Sequence, residues 1–411
     1  MNYELFIAKR IIGSKSYKSS ISAPIIKIGI IAIATGIVVM LISIATGLGL
    51  QHKIRDKIVA FNGHINIENY DSNNSYESQV PIQKDTLNNE RFNNLEGVKH
   101  VQGVASRFGI IRTKNDFEGV FVKGVGADYD WRYLKEFLIE GELPDYTKKR
   151  NENVLISKYT ANRLGFKVGD SFQMLFAKQT DTNPRIMKFN IVGLYDSGFQ
   201  ELDEKFMIAD LRHIQRINKW KQDQVGSFEV FIDDFEKIED KGIEVYQNIP
   251  SSLNATTIKQ SYAEIFEWLS VFDNNTYGII FIIILVAGIN MITALLVLIL
   301  ERTQMIGILK SIGSYNNSIQ KIFLYNASYL IGLGLFWGNL IGLLLLFAQD
   351  YFRFLKFPDP EQYYVSEIPV YIHWDYILML NVGTFIASIL LLIIPSFIIS
   401  KISPVKAIRF S

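Results

Sequence analysis

Apolar residues fall into four long blocks, and the chain between them alternates polar and apolar positions. The blocks are Ile28–Leu50, Tyr277–Leu300, Ile322–Ala348 and Tyr376–Ser400. As helices, each is long enough to cross a hydrocarbon layer roughly 30 Å thick, which takes about 20 residues. The first run is longer than the roughly 7–15 apolar residues of a secretory signal and has no clear small-x-small cleavage pattern, so it is predicted to stay as a span. Residues 51–276 read differently. "FEGVFVKGV", "SFQML", "RIMKFNIVGLY" and "SFEVFI" are β-branched or alternating runs set between glycine and aspartate turn signals. "ENVLISKYTANRLG" and "DLRHIQRINKW" carry helical spacing. The expected fold is a membrane protein with four transmembrane α-helices and a large α+β extracytoplasmic domain inserted between the first and second.

Two polar stretches interrupt that domain. "NYDSNNSYESQ" (69–79) is turn-rich and reads as a loop. "KQTDTNPR" (178–185) separates two strand patterns, either as a hairpin tip or as a projecting partner-binding loop.

A third polar stretch is harder to place, because "ERTQMIGILKSIG" (301–313) leaves one apolar block and the next begins at Ile322. Met305, Ile308, Leu309 and Ile312 recur at the spacing of one helical face, and Gln304, Gly307 and Ser311 form another. Gly313 supplies a stop. The pattern predicts a short helix that leans on the bilayer with one side and offers the other to a partner, or else a plain interfacial connector held by Arg302 and Lys310.

Charge then orients the spans. Lys9, Arg10, Lys15, Lys18 and Lys27 precede the first block, Arg302, Lys310 and Lys321 lie between the second and third, and Lys401, Lys406 and Arg409 follow the fourth. Short basic flanks favour the cytoplasm. The expected organisation is a cytoplasmic segment 1–27, a span 28–50, an outer domain 51–276 and a span 277–300. A cytoplasmic helix and loop 301–321, a span 322–348, an outer loop 349–375, a span 376–400 and a cytoplasmic tail 401–411 complete it. Trp268, Tyr277, Tyr351, Trp374 and Tyr376 suit an interfacial belt. In the third span, Gly334, Gly338 and Gly342 make a ridge for close helix contact, within one chain or across a dimer seam.

Composition removes several kinds of chemistry. There is no cysteine among the 411 residues, hence no disulfide, thiolate metal site or cysteine nucleophile. Lys and Arg number 42 against 41 Asp and Glu, a balance that gives no sign of nucleic-acid binding. His52, His64, His100, His213 and His373 form no HExxH or other ligand cluster, so no metal site is expected. Asp233, Asp234, Glu201, Asp203 and Glu204 sit in charged stretches expected to be solvated, and no catalytic residue is assigned. "GLGLQHK" (47–53) lacks the second glycine of a phosphate loop, so ATP hydrolysis by this chain alone is not expected. The apolar cores carry only neutral polar residues, chiefly Asn290, Thr293, Asn326 and Asn339, which leaves no ionisable group for ion-driven transport.

"ERTQMIGILKSIG" and the ending "PSFIISKISPVKAIR" resemble the motifs of ABC-transporter permeases related to FtsX and MacB. Serine or isoleucine stands here where the tail motif has small residues. Within that superfamily the chain is most similar to the lipoprotein-releasing (Lol) permeases, through "ELFIAKRIIGSK", "SIATGLGLQHKIRDKIVAFNGHINI", "NVLISKYTANRLGFKVGD", "KFNIVGLYDSGFQELDEKFMI" and "FPDPEQYYVSEIPVYIHWD". The resemblance implies an inner-membrane permease without cofactor of its own. Its partners would be a dimer of ABC ATPase subunits holding ATP and Mg, a second permease chain, identical or related, membrane lipid, a lipoprotein substrate and a periplasmic carrier. Glu301, Arg302, Gln304, Gly307, Lys310 and Gly313 would couple to the ATPase. Lys178, Asn183, Pro184 and Arg185 would meet the carrier, in a loop too short to match a carrier hook well. Substrate binding is expected at the outer halves of the first two spans, near Met40, Ile44, Phe281 and Ile284. A MacB-like exporter of drugs or peptides and an FtsX-like regulator of a cell-wall hydrolase are the competing expectations.

Overall fold

A computed structural model describes residues 3–12, 23–70, 79–87, 92, 95–114, 116–177, 184–358 and 363–403. The chain divides into two compact units. One comprises Met1–Gln51, Leu269–Lys356 and Ile368–Ser411, and the other His52–Trp268 with Phe357–Glu367.

The first unit is helical. Among the described residues, four helices are long and apolar enough to cross a membrane: Ala23–Asn62, Ala263–Glu301, Asn316–Phe352 and Trp374–Ser396, the last followed by a further turn at Ile398–Lys401. All except the fourth run well past the apolar blocks, because a helix does not stop where hydropathy does. The fourth breaks at Pro395, which has no N–H to continue the ladder.

Their packing is set by small residues. A Cβ on Gly334 or on Gly338 would stand 2.7 Å from the Cβ of Ile33 or Ile37 respectively, and one on Gly342 would be 2.9 Å from Leu41 Cδ1. The glycine ridge therefore seats the i, i+4, i+8 row of the first helix of the same chain, and both apolar rows are buried. Asn339 and Asn381 exchange amide hydrogen bonds of 2.6 and 3.0 Å between the third and fourth helices, which satisfies both polar groups in an apolar setting.

The second unit is α+β. Its main sheet runs, in spatial order, Leu253–Thr257, Ile65–Asn69, Ser227–Ile232, Val98–Arg112, Phe117–Val125, Phe206–Asp210, Asn153–Ser157, Arg185–Tyr195 and Leu138–Gly141, and Ser171–Phe176 pairs with both Val98–Arg112 and Arg185–Tyr195. Most pairs are antiparallel, whereas Phe117–Val125 runs parallel to Phe206–Asp210, and Arg185–Tyr195 runs parallel to Asn153–Ser157. That strand corrects the helical reading of "ENVLISKYTANRLG". Val154, Leu155 and Ile156 are all buried, as in a strand covered on both faces, and the helix begins only at Lys158, capped by Ser157. The end of the first long helix belongs to this unit, where Ile54, Ile58 and Phe61 are buried and Gly63, at φ 66°, terminates it.

Candidate functional site

The segment 301–313 folds into a helix, Thr303–Ser311, that follows a break at Arg302. Its end is a Schellman turn: the Ser314 N–H donates to Leu309 O at 3.0 Å and the Gly313 N–H to Lys310 O at 3.0 Å, with Gly313 at φ 94°. Lys310 Nζ donates to the carbonyls of Ile399 and Ile402 at 2.7 and 2.8 Å and so caps the helical turn that ends the fourth long helix. Arg302 lies 3.7 Å from Glu301. This geometry corrects the facial assignment. Ile306 and Gly307 are buried, Met305 and Leu309 pack on the core, and the free side carries Gln304, Ile308, Ser311 and Ile312. Gly307 faces inward because tertiary packing chose Ile306 for the core, a residue absent from the apolar row drawn by spacing. The lysine expected at an interface instead spends its protons on carbonyls within the unit.

A cavity of about 290 Å³ opens among the first, second and fourth long helices. Ile44 and Leu48, Ile280 and Ile284, and Met379 and Gly383 form its walls, Thr276, Tyr277 and Tyr376 lie toward one end, and its lining holds no carboxylate, lysine, arginine or histidine. Ile44 and Ile284, both expected at a binding surface, are thus brought together. Met40 is 1% exposed and belongs to the helix core, while Phe281 is 67% exposed and is not part of the lining. The fourth helix's share of the cavity was invisible in sequence, since its wall residues look like any other apolar face.

On the α+β unit, Arg185 opens a strand and donates to Arg216 O at 2.9 Å, and Pro184 beside it is exposed. Lys178 and Asn183 lie outside the described residues, as do most of loop 69–79 and the tail beyond Ser403.

Several polar groups are buried here, one of them, Asp203, expected in solvent. Asp203 is 6% exposed and accepts from Ser197 Oγ at 2.7 Å; burial pushes its carboxyl up to about 6 against the two Ser197 hydrogen bonds that favour the anion. This overturns its assignment to a solvated stretch. Lys123 Nζ donates to Glu229 Oε1 and to Phe61 O, both at 2.6 Å, and Gln102 completes the cluster by donating to Glu229 Oε2 at 2.8 Å. Burial lowers the Lys123 pKa, with Glu229 opposing. Burial, with Arg55 and Lys99 nearby, lowers His64 to about 4 and keeps it neutral, so that Nδ1 accepts from the Ile232 N–H at 3.3 Å. These are structural satisfactions of buried groups, and among the described residues no three His, Asp or Glu side chains gather to hold a metal.

Membrane-length helices with an α+β domain inserted after the first define a multi-pass membrane protein. The chain belongs to the family defined by the MacB-like periplasmic core domain, whose model matches residues 28–240, and the FtsX-like permease C-terminal model matches residues 277–404. It is 22% identical over 410 aligned residues to the lipoprotein-releasing system transmembrane protein LolC of Xylella fastidiosa, covering 93% of this chain and 92% of that one. With the LolE protein of Haemophilus influenzae it shares 20% identity, covering 99% of each. The periplasmic region of MacB from Actinobacillus actinomycetemcomitans aligns with 49% of this chain and 94% of its own at 14% identity and a TM-score of 0.34. The chain is an ABC-transporter permease by family.

Proposed function

We propose that the chain works in the bacterial inner membrane, with a second permease chain and a pair of ATPase subunits carrying ATP and Mg, to release lipoproteins to a periplasmic carrier. The observation that carries the coupling role is the helix Thr303–Ser311: its inner side and both ends are fixed, and it presents Ile308 and Ile312, 49% and 74% exposed, to a partner. A rigid short helix with a bare apolar side transmits displacement to the long helices on either side of it. Lipoprotein as cargo is supported by relatives of that name aligned along nearly the whole chain, and by long helices whose uncharged apolar blocks offer acyl chains exposed surface, Phe281 among them. Moving acyl chains into water costs about 0.8 kcal/mol per CH₂, so ATP-driven release requires a shielded handover. The stretch 178–185 is the proposed carrier contact.

The test is reconstitution with the ATPase. ATP should release a triacylated protein from proteoliposomes to a carrier, and Ile308→Ser with Ile312→Ser should weaken co-purification of the ATPase while leaving the melting temperature unchanged. Gly307→Trp, by contrast, should disturb folding. ATP-dependent export of a drug or peptide with no lipoprotein release would replace this reading by the exporter one, and control of a hydrolase without transport by the regulator one.

A further inference from the structure

The cavity among the first, second and fourth long helices is lined by residues of this one chain. Its lining on the second helix runs from Thr276 to Ile284 and on the fourth from Tyr376 to Thr384, each about 12 Å along the axis at 1.5 Å per residue. Phenolic and hydroxyl groups of Thr276, Tyr277 and Tyr376 stand at the end where the fourth helix begins, and the walls beyond them are aliphatic. At the far end, Thr384 is 2% exposed and its hydroxyl has no hydrogen-bond partner. One hydroxyl among aliphatic walls is too few to hold water, which needs two to four polar partners. An empty space of this size forfeits the dispersion contacts of every atom that lines it. The helices around it are of membrane length, so the molecule at hand to fill it is the one that makes up the bilayer.

We infer that the cavity holds one acyl chain of a bilayer glycerophospholipid, inserted from the end marked by Tyr277 and Tyr376, where its head group stays. The chain is recognised by shape and apolarity alone. Gly383 makes the room: a Cβ there meets nothing within 4 Å, so a larger side chain would occupy the cavity without colliding with its walls at that atom. Gly332 on the third helix is equally open and does not line the cavity, which makes it a control of matched bulk.

The full chain is purified from membranes with the photo-crosslinking residue p-benzoylphenylalanine in place of Met379, in the Gly383→Phe, Gly332→Phe and otherwise unchanged backgrounds. Intact mass after illumination should show a phospholipid adduct in the unchanged and Gly332→Phe proteins and at least a tenfold weaker one in Gly383→Phe, with all three melting alike. A repeat in vesicles of a single synthetic phosphatidylethanolamine should give an adduct of that mass. Equal adducts in Gly383→Phe, or none in any background, would overturn the assignment. So would an adduct formed only when a triacylated lipoprotein is supplied, which would give the cavity to cargo. Should Gly383→Phe melt differently, Met379→Trp tested with the crosslinker at Ile280 keeps the same expected loss.

Discussion

Lys57 Nζ donates to the backbone carbonyl of Tyr364 at 2.9 Å, tying the stretch Phe357–Glu367 to the end of the first long helix within the α+β unit. Tyr364 is held in the left-handed region at φ 58°, and its ring stacks on Phe199 at 4.6 Å. A tyrosine in that conformation persists only where its surroundings impose it. Lys57→Met keeps the stem and removes the donor, so local opening should become easier by about 1.5–3 kcal/mol. Hydrogen exchange of peptides covering Val365–Glu367 should quicken, with little change in the peptides of strand Val98–Arg112. Unchanged exchange would mean that the aromatic stack alone holds the segment.

Asp203 and His64 impose opposite pH dependences. Asp203 titrates higher in the folded protein, about 6 against 3.8, so its contribution is most favourable below 3.8 and is lost as pH rises through 6. His64 titrates lower, about 4 against 6.5, so its contribution is present above 6.5 and lost as pH falls through 4. Between pH 4 and 6 the two slopes oppose each other. Asp203→Asn should therefore stabilise the protein at pH 8 by on the order of 2–3 kcal/mol and leave it steeper in acid than the parent. Thermal unfolding from pH 4 to 8 measures both.

Lys123 and Glu229 are 2% and 5% exposed at their side chains and form a buried ion pair at 2.6 Å. Removing one partner strands a buried charge, which costs about 3–5 kcal/mol. Lys123→Met and Glu229→Gln should each lower stability by an amount of that order, and the double variant by much less than their sum. Additive losses in denaturant unfolding would show that the pair does not act as a unit.

Gly338 meets Ile37 Cβ and Ala34 O at 2.7 and 2.8 Å from an added Cβ, whereas Gly332 meets nothing. Gly338→Leu should sharply reduce folded yield in detergent, since neither the backbone oxygen nor a β-branched carbon can yield. Gly332→Leu should be tolerated.

The basic flanks also make a checkable statement about sidedness. Cysteine at exposed Lys149, in the α+β unit, should react with an impermeant thiol reagent from the periplasm, and cysteine at exposed Asn316 should not. The reverse labelling would invert the arrangement.

Much of this protein is dictated locally. Four uncharged apolar blocks must become helices, because hydrocarbon offers a lone backbone no other way to satisfy its N–H and C=O groups. Gly313 ends its helix by a conformation that glycine adopts freely, and a ridge of glycines four apart announces a close contact without naming the helix it receives. Tertiary structure decided the rest. It chose Ile37 of the same chain for Gly338, and Ile306 over Ile308 for the core, because a helix only nine residues long is turned by its neighbours rather than by its own spacing. It read "NVLIS" as a strand because Arg185–Tyr195 pairs in parallel along one of its edges and Phe206–Asp210 lies along the other. Asp203 was buried by the fold of the loop around Ser197, and the 290 Å³ cavity exists only where three helices diverge. Periodicity records which residues avoid water, and distance in the folded chain determines which of them meet.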